Sequence, residues 1–133
     1  MIASEDIAIK IREVLLAANI SGADVVWNRS GYERTDEIVL VPHRSDGEGS
    51  LRDAVVMVNI HVPDGYNGAA YETSYPRLTA IRKEVVSALK NYYWPGTGIN
   101  WEVSSLDPAI KEPDYNEHFM CVRVTAHIRE KSN

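Results

Sequence analysis

Cysteine is nearly absent: Cys121 is the only one in 133 residues. An intramolecular disulfide is therefore excluded, and so is a cysteine-rich zinc site. Cys121 lies inside an apolar run, where a free thiol behaves as a small packed hydrophobe. Positive charge is also scarce. Lys and Arg number 14 against 19 Asp and Glu, a formal net charge of −5. Nucleic-acid binders draw most of their affinity from releasing phosphate counterions, so sequence-specific nucleic-acid binding is not expected. Long apolar runs are missing, and the fully apolar stretches fall far short of the roughly 20 residues a membrane helix needs. The first residues, Met1-Ile2-Ala3-Ser4-Glu5-Asp6, have neither the basic nor the apolar region of a secretory signal, so the cytosol is the expected place.

Motifs with a chemical mechanism are absent too. There is no Gly-x-Ser-x-Gly elbow, dinucleotide fingerprint, EF-hand loop or His-Glu-x-x-His. The glycines at Gly47 and Gly49 are not followed by Lys-Ser or Lys-Thr, so they do not form a phosphate-binding loop. No cofactor or metal is expected, and no catalytic residue is assigned. Internal repeats and low-complexity tracts are lacking.

What remains is an ordinary globular composition, 44% hydrophobic and 25% charged. One domain spanning 1–133 should bury roughly two-thirds of its unfolded surface. Ile7, Ile11, Val14, Leu15 and Ala18 recur at helical spacing, with Ser4 as N-cap and Asn19 to Gly22 as the stop. Val25-Val26-Trp27 is a short strand, followed by a polar loop, Asn28 to Asp36. Ile38 to Val41 suits a strand covered on both faces, closed by Pro42. Asp46-Gly47 predicts a hairpin turn within His43 to Ser50. Ala54 to Val62 alternates: Val56, Val58, Ile60 and Val62 face the core, while Val55, Met57, Asn59 and His61 face the other way.

Pro63 to Tyr75 reads as a turn carrying Tyr66, Tyr71 and Tyr75. Pro76 suits the first turn of a second helix, marked by Leu78, Ile81, Val85, Leu89 and Tyr92. Ile99, Trp101 and Val103 mark a half-buried strand. Asp107 to Glu117, with Pro108 and Pro113, predicts a loop. Phe119 to Ile128 predicts the last strand, with 129–133 a frayed tail. The fold class is α+β, a two-layer domain of order α-β-β-β-α-β-β. Its sheet is mainly antiparallel, both helices pack on one face, and Ala54–Val62 and Phe119–Ile128 lie at the centre.

Two features could carry chemistry. His61 and His127 share the less apolar face of the two long strands, and neighbouring strands would let the imidazoles meet. Asp107, Glu112, Asp114 and Glu117 cluster, but a proline-punctuated loop usually leaves carboxylates solvated. A small-molecule-binding or enzymatic cleft near His61 and His127, with Asp114, is therefore the alternative function. Tyr92-Tyr93-Trp94 offers a different clue. One helical face cannot hold three consecutive residues, so at least one should stay outside the core as a contact residue.

The element pattern resembles the tail-completion and tail-terminator (head–tail joining) proteins of tailed bacteriophages and prophages. The likeness runs from Ile7 to Ile128. It rests on the helix Ile7–Ala18, a Val-Trp strand, Ile38-Val39-Leu40-Val41-Pro42, and the strand Val55–Val62 ending His-Val-Pro. The helix Arg77–Leu89 and the late strand Met120–Ala126, after a polar loop containing Glu112-Pro113, complete it. The resemblance implies a structural virion protein rather than an enzyme. It would form a ring, commonly a hexamer, around the DNA channel and meet tail-tube or head-connector proteins. The place implied is the bacterial host cytoplasm or the virion tail or neck. A ring needs head-to-tail contacts whose rotation closes. Candidate oligomer contacts are Asp46, Tyr66, Tyr71, Trp94 and Asp114. A dimeric accessory protein of a bacterial complex is a further alternative.

Overall fold

Two alternating strands organise the molecule. Strand β4 (Leu51–Pro63) pairs antiparallel with β8 (Glu117–Arg129) along its whole length, from Leu51 opposite Arg129 to Pro63 opposite Glu117. Around this pair the computed structural model places β2 (Glu37–Pro42) and β1 (Asp24–Val26) on one side and β7 (Asn100–Lys111) on the other, in the order β1-β2-β4-β8-β7. The structure describes residues 2–31, 34–43, 46–48, 51–90 and 92–129. Among them the protein is an α+β fold with a mainly antiparallel sheet, and only β1–β2 is parallel. No helix of the described residues is long and apolar enough to cross a membrane.

Period two decides which face is covered. Val56, Val58, Ile60 and Val62 on β4 and Val122, Val124, Ala126 and Ile128 on β8 join one core. Helices α1 (Ser4–Ala18) and α2 (Tyr75–Lys90) close that core with Ile7, Ile11 and Leu15, and with Leu78, Ile81, Val85 and Leu89. These stripes occur at the 3.6-residue spacing that puts one helical face on a sheet. The opposite sheet face is only partly covered: Val55, Met57, Asn59, Cys121 and Thr125 are half-buried. Burial pushes the Cys121 thiol up, which keeps it protonated and unreactive.

Several local expectations are corrected. Ser4 is not the N-cap. Ala3 caps α1, Ser4 is helical and buried, and the Asp6 carboxylate accepts the Ala3 N–H at 2.8 Å. An acid at the third helical position thereby supplies half of a capping box. Asp46-Gly47 is not the turn but part of a short strand, β3 (Asp46–Glu48), with Asp46 opposite Asp53. The hairpin exists, and its closing residues 49–50 lie outside the described residues.

The expected loop from Asp107 to Glu117 is mostly strand. β7 runs on to Lys111, and its register shifts between Leu106 and Ile110. Because β7 is an edge strand, Pro108 at this bulge forfeits no ladder hydrogen bond. The real turn spans only 112–116. Arg129 is still paired with Leu51, and the rest of the expected frayed tail, 130–133, is outside the described residues. Helix α2 stops at Lys90, before Tyr92. The segment after β4 adds two short strands, β5 (Gly65–Tyr66) and β6 (Tyr71–Glu72), which among the described residues pair only with each other.

Candidate functional site

The parallel pairing of β1 with β2 creates the most unusual feature. A parallel connection must carry the chain back the length of the strand. Here the return runs between Val26 and Glu37, and its described parts, 27–31 and 34–36, bring Arg29, Ser30 and Arg34 against the open sheet face. Glu37, His61 and Phe119 form a cross-strand row on that face, set by the pairings Glu37–His61 and His61–Phe119. Glu117, at the start of β8, lies beside them. Glu117 is 1%, Glu37 3% and His61 8% exposed.

Each buried charge has partners. Arg29 donates to Glu117 from Nε (3.1 Å) and Nη2, and to Glu37 from Nη1. Ser30 donates to Glu37 through its N–H (3.0 Å) and its hydroxyl (2.9 Å). His61 Nδ1 is 3.1 Å from Glu117 Oε2, and its ring stacks on Phe119 with centroids 4.9 Å apart. Arg34 Nε is 3.5 Å from Glu117 Oε1, an ion-pair distance, and its guanidinium lies 3.5 Å from the Tyr115 ring centroid. With His61 neutral, two guanidiniums balance two carboxylates.

The titration directions follow from this arrangement. Burial pushes the Glu117 carboxyl up, but Arg29, His61 and Arg34 outweigh it and hold it below its ordinary value. Burial likewise pushes Glu37 up, and Ser30 with Arg29 brings it below its ordinary value. Burial dominates at His61 and pushes it down despite Glu117 and Glu112, with Arg29 adding to the depression. A proton on His61 would leave a net buried positive charge.

A pH dependence follows. Unfolded, His61 titrates near its ordinary 6.5; folded, it titrates lower. Between those values only the unfolded chain takes up the proton, so stability falls as pH drops from 6.5 through the folded value. Glu37 and Glu117, lowered from 4.5, add a second loss as pH falls below 4.5. His127, raised from 6.5, acts oppositely: its contribution is present below 6.5 and fades as pH rises through its folded value. It and its partners are well exposed, so that contribution is screened. Urea midpoints are expected to fall from pH 7 to 5, and His61→Gln should flatten this segment. An equally steep fall in the variant would rule His61 out as the cause.

A His61 ring nitrogen and carboxylate oxygens of Glu112 and Glu117 lie within 4.8 Å of one another, the one such grouping among the described residues able to surround a cation. A cation there would share Glu117 with two guanidiniums that already neutralise it. The arrangement is better suited to clamping the 27–36 crossover onto the sheet than to holding a metal.

His61 and His127, which neighbouring strands could have brought together, stay apart. His61 is opposite Phe119 and His127 opposite Asp53, eight positions apart along β8 and so about 26 Å. The physical reason is the antiparallel register, which puts them at opposite ends. His127 instead sits 2.8 Å from Asp53 and 3.6 Å from Glu102, beside an open cleft of about 540 Å³. Asp114 is exposed in the turn at the His61 end. A third cluster lies on the helix side. His118 Nδ1 is 2.8 Å from Asp64, and the Thr73 hydroxyl is 3.2 Å from both ring nitrogens. A hydroxyl equidistant from both nitrogens is off the axis of either, which is not the line a nucleophile needs toward its base.

Among the candidate contacts, Tyr66 and Tyr71 are brought together as a cross-strand pair with ring centroids 5.1 Å apart. Both are exposed, at 63% and 55%. Trp94 is half-buried beside Trp101 with Lys10 over its ring, and Tyr93 is the most outward of Tyr92, Tyr93 and Trp94 at 74% exposure. The reason is that the chain has left the helix by then, so alternate residues turn inward. Sequence reasoning missed Arg29, Ser30, Arg34 and Glu37 and took Glu117 for a solvated acid. The one local signal was Glu37, which opens a strand expected to be covered on both faces. No protein-family model matches this sequence, and no curated protein matches it either.

Proposed function

We propose that this chain is a self-assembling structural subunit of the tail-completion or head–tail joining type, working as a ring around a DNA channel. The observation that carries the reading is the tyrosine arm. Among the described residues β5 and β6 form a hairpin paired with no other strand, presenting Tyr66 and Tyr71, with exposed Tyr75 at its base. Tyrosine is enriched among residues that anchor protein interfaces. The distribution of candidates supports a head-to-tail contact. The arm and the Asp114 turn lie at the end of the sheet marked by Pro63 and Glu117, while β3, with Asp46, lies at the end marked by Leu51 and Arg129. Two unlike ends that fit each other give the heterologous contact a closed ring requires. In this reading the tail tube or head connector is the further partner, and the buried charge clamp holds the fold rather than performing catalysis.

Sedimentation velocity over a concentration series tests it. The wild-type chain is expected to grow into a defined oligomer, and Tyr66→Ser with Tyr71→Ser to weaken assembly by about 30-fold or more, as for an anchor worth about 2 kcal/mol. A wild-type chain that stays monomeric at every concentration, or a double variant that assembles unchanged, counts against the reading.

A further inference from the structure

The outer side of α2 carries a feature unrelated to the arm. Arg82, Lys83, Val86, Ser87 and Lys90 line a groove of about 450 Å³ together with Ser105 of edge strand β7. Successive helical turns place these residues on one face. Three of the six are cationic and none is acidic. Among the described residues, none of the three cations makes an ion pair, whereas Arg29, Arg34 and Arg77 all do. Two atoms of this lining, Arg82 Nε and Ser105 Oγ, are buried without any hydrogen-bond partner. Both atoms are closed to solvent, so an acceptor in the groove would reach them only after a side-chain rotation; what the groove offers as it stands is its cationic lining.

We infer that this groove is a binding site for a compact phosphate-type oxyanion, such as inorganic phosphate or a small phosphomonoester. A phosphomonoester brings close to two negative charges and three strong acceptor oxygens, matching a guanidinium, two ammoniums and two hydroxyls better than a carboxylate does. A long polyanion is the poorer fit, because the chain as a whole is negative and repels extended phosphate backbones. The inference stands independently of the assembly reading.

The test titrates inorganic phosphate into the full chain in a phosphate-free buffer at low ionic strength, followed by calorimetry and amide chemical shifts. Saturation at one site per chain is expected, with shifts confined to 82–90 and the neighbourhood of Ser105. Lys90→Ala, at an exposed position that leaves the fold intact, and Arg82→Gln should each weaken binding about tenfold, about 1.4 kcal/mol. Arg123→Gln, exposed on the opposite sheet face, should not. Non-saturating heats, shifts scattered over the surface, or undiminished binding by both groove variants would overturn the assignment. So would tighter binding to a short single-stranded oligonucleotide than to phosphate, which would assign the groove to nucleic-acid backbone.

Discussion

Arg29→Ala is expected to destabilise the chain by about 3–5 kcal/mol, the usual consequence of removing one partner from a buried ion pair. The size follows from what would be left behind. Among the described residues Arg29 alone touches both Glu37 and Glu117, and both carboxylates are almost wholly buried. Without it, Ser30 still serves Glu37, and His61 and Arg34 still face Glu117, but one negative charge stays unbalanced. A domain is typically stable by only about 5–15 kcal/mol, so the loss is a large share of the whole. Urea unfolding followed by far-UV circular dichroism measures it. A loss under about 1 kcal/mol would match an exposed pair and sink the claim that this network is desolvated.

The same variant carries an internal control in pH. Without the guanidinium the Glu117 carboxyl loses its strongest lowering partner and rises from its depressed position. The stabilisation tied to that depression is present above 4.5 and is lost as pH falls through the folded value. The gap between variant and wild type should therefore narrow as pH falls below 4.5. Replacing the whole set, with Arg29→Met, Glu37→Leu and Glu117→Leu together, should recover much of the loss, because well-packed apolar side chains often replace buried ion pairs at little cost. The clamp would then be shown to fix where the crossover lies rather than to be the source of stability.

The parts of this architecture set by short-range periodicity were legible in the sequence. The structure buries Ile7, Ile11 and Leu15, and Leu78, Ile81, Val85 and Leu89, as the spacing implies, but Val14 is only half-buried, Ala18 is exposed, and Ala8 and Ser4 are buried in their place. The alternation in Ala54–Val62 and Phe119–Ile128 gave the correct inward face and the central pair. Illegible features had competing local signals or none. Pro108 and four carboxylates masked the continuation of β7, because proline on an edge strand looks like a loop when the edge is unknown. The charge clamp was invisible for another reason: Arg29 and Glu117 are 88 positions apart and His61 and Glu117 are 56 apart, so only the register joins them. The exposed arm fell between. Its tyrosines stood out, but their pairing depended on two strands of two residues each, too short to show a period.

The unequal treatment of the two sheet faces yields the second large effect. Ile60→Ala is expected to lose about 2–5 kcal/mol, since Ile60 is fully buried under the helices and its truncation leaves a cavity that close packing cannot readily fill. Met57→Ala, three positions earlier on the same strand but on the open face, should lose less than about 1.5 kcal/mol, because half-burial leaves water access and fewer lost contacts. Backbone pairing is the same for both, so the contrast isolates side-chain burial from strand propensity. Chemical denaturation of both variants at one low protein concentration, confirmed monomeric by sedimentation, keeps self-association from adding to either number. Equal losses in the monomer would mean that a second layer covers the open face, leaving a two-layer α+β domain untenable. If the contrast holds in the monomer and the Met57 loss grows with protein concentration, the open face is being buried between subunits, which would place the seam of the assembly there as well as at the tyrosine arm.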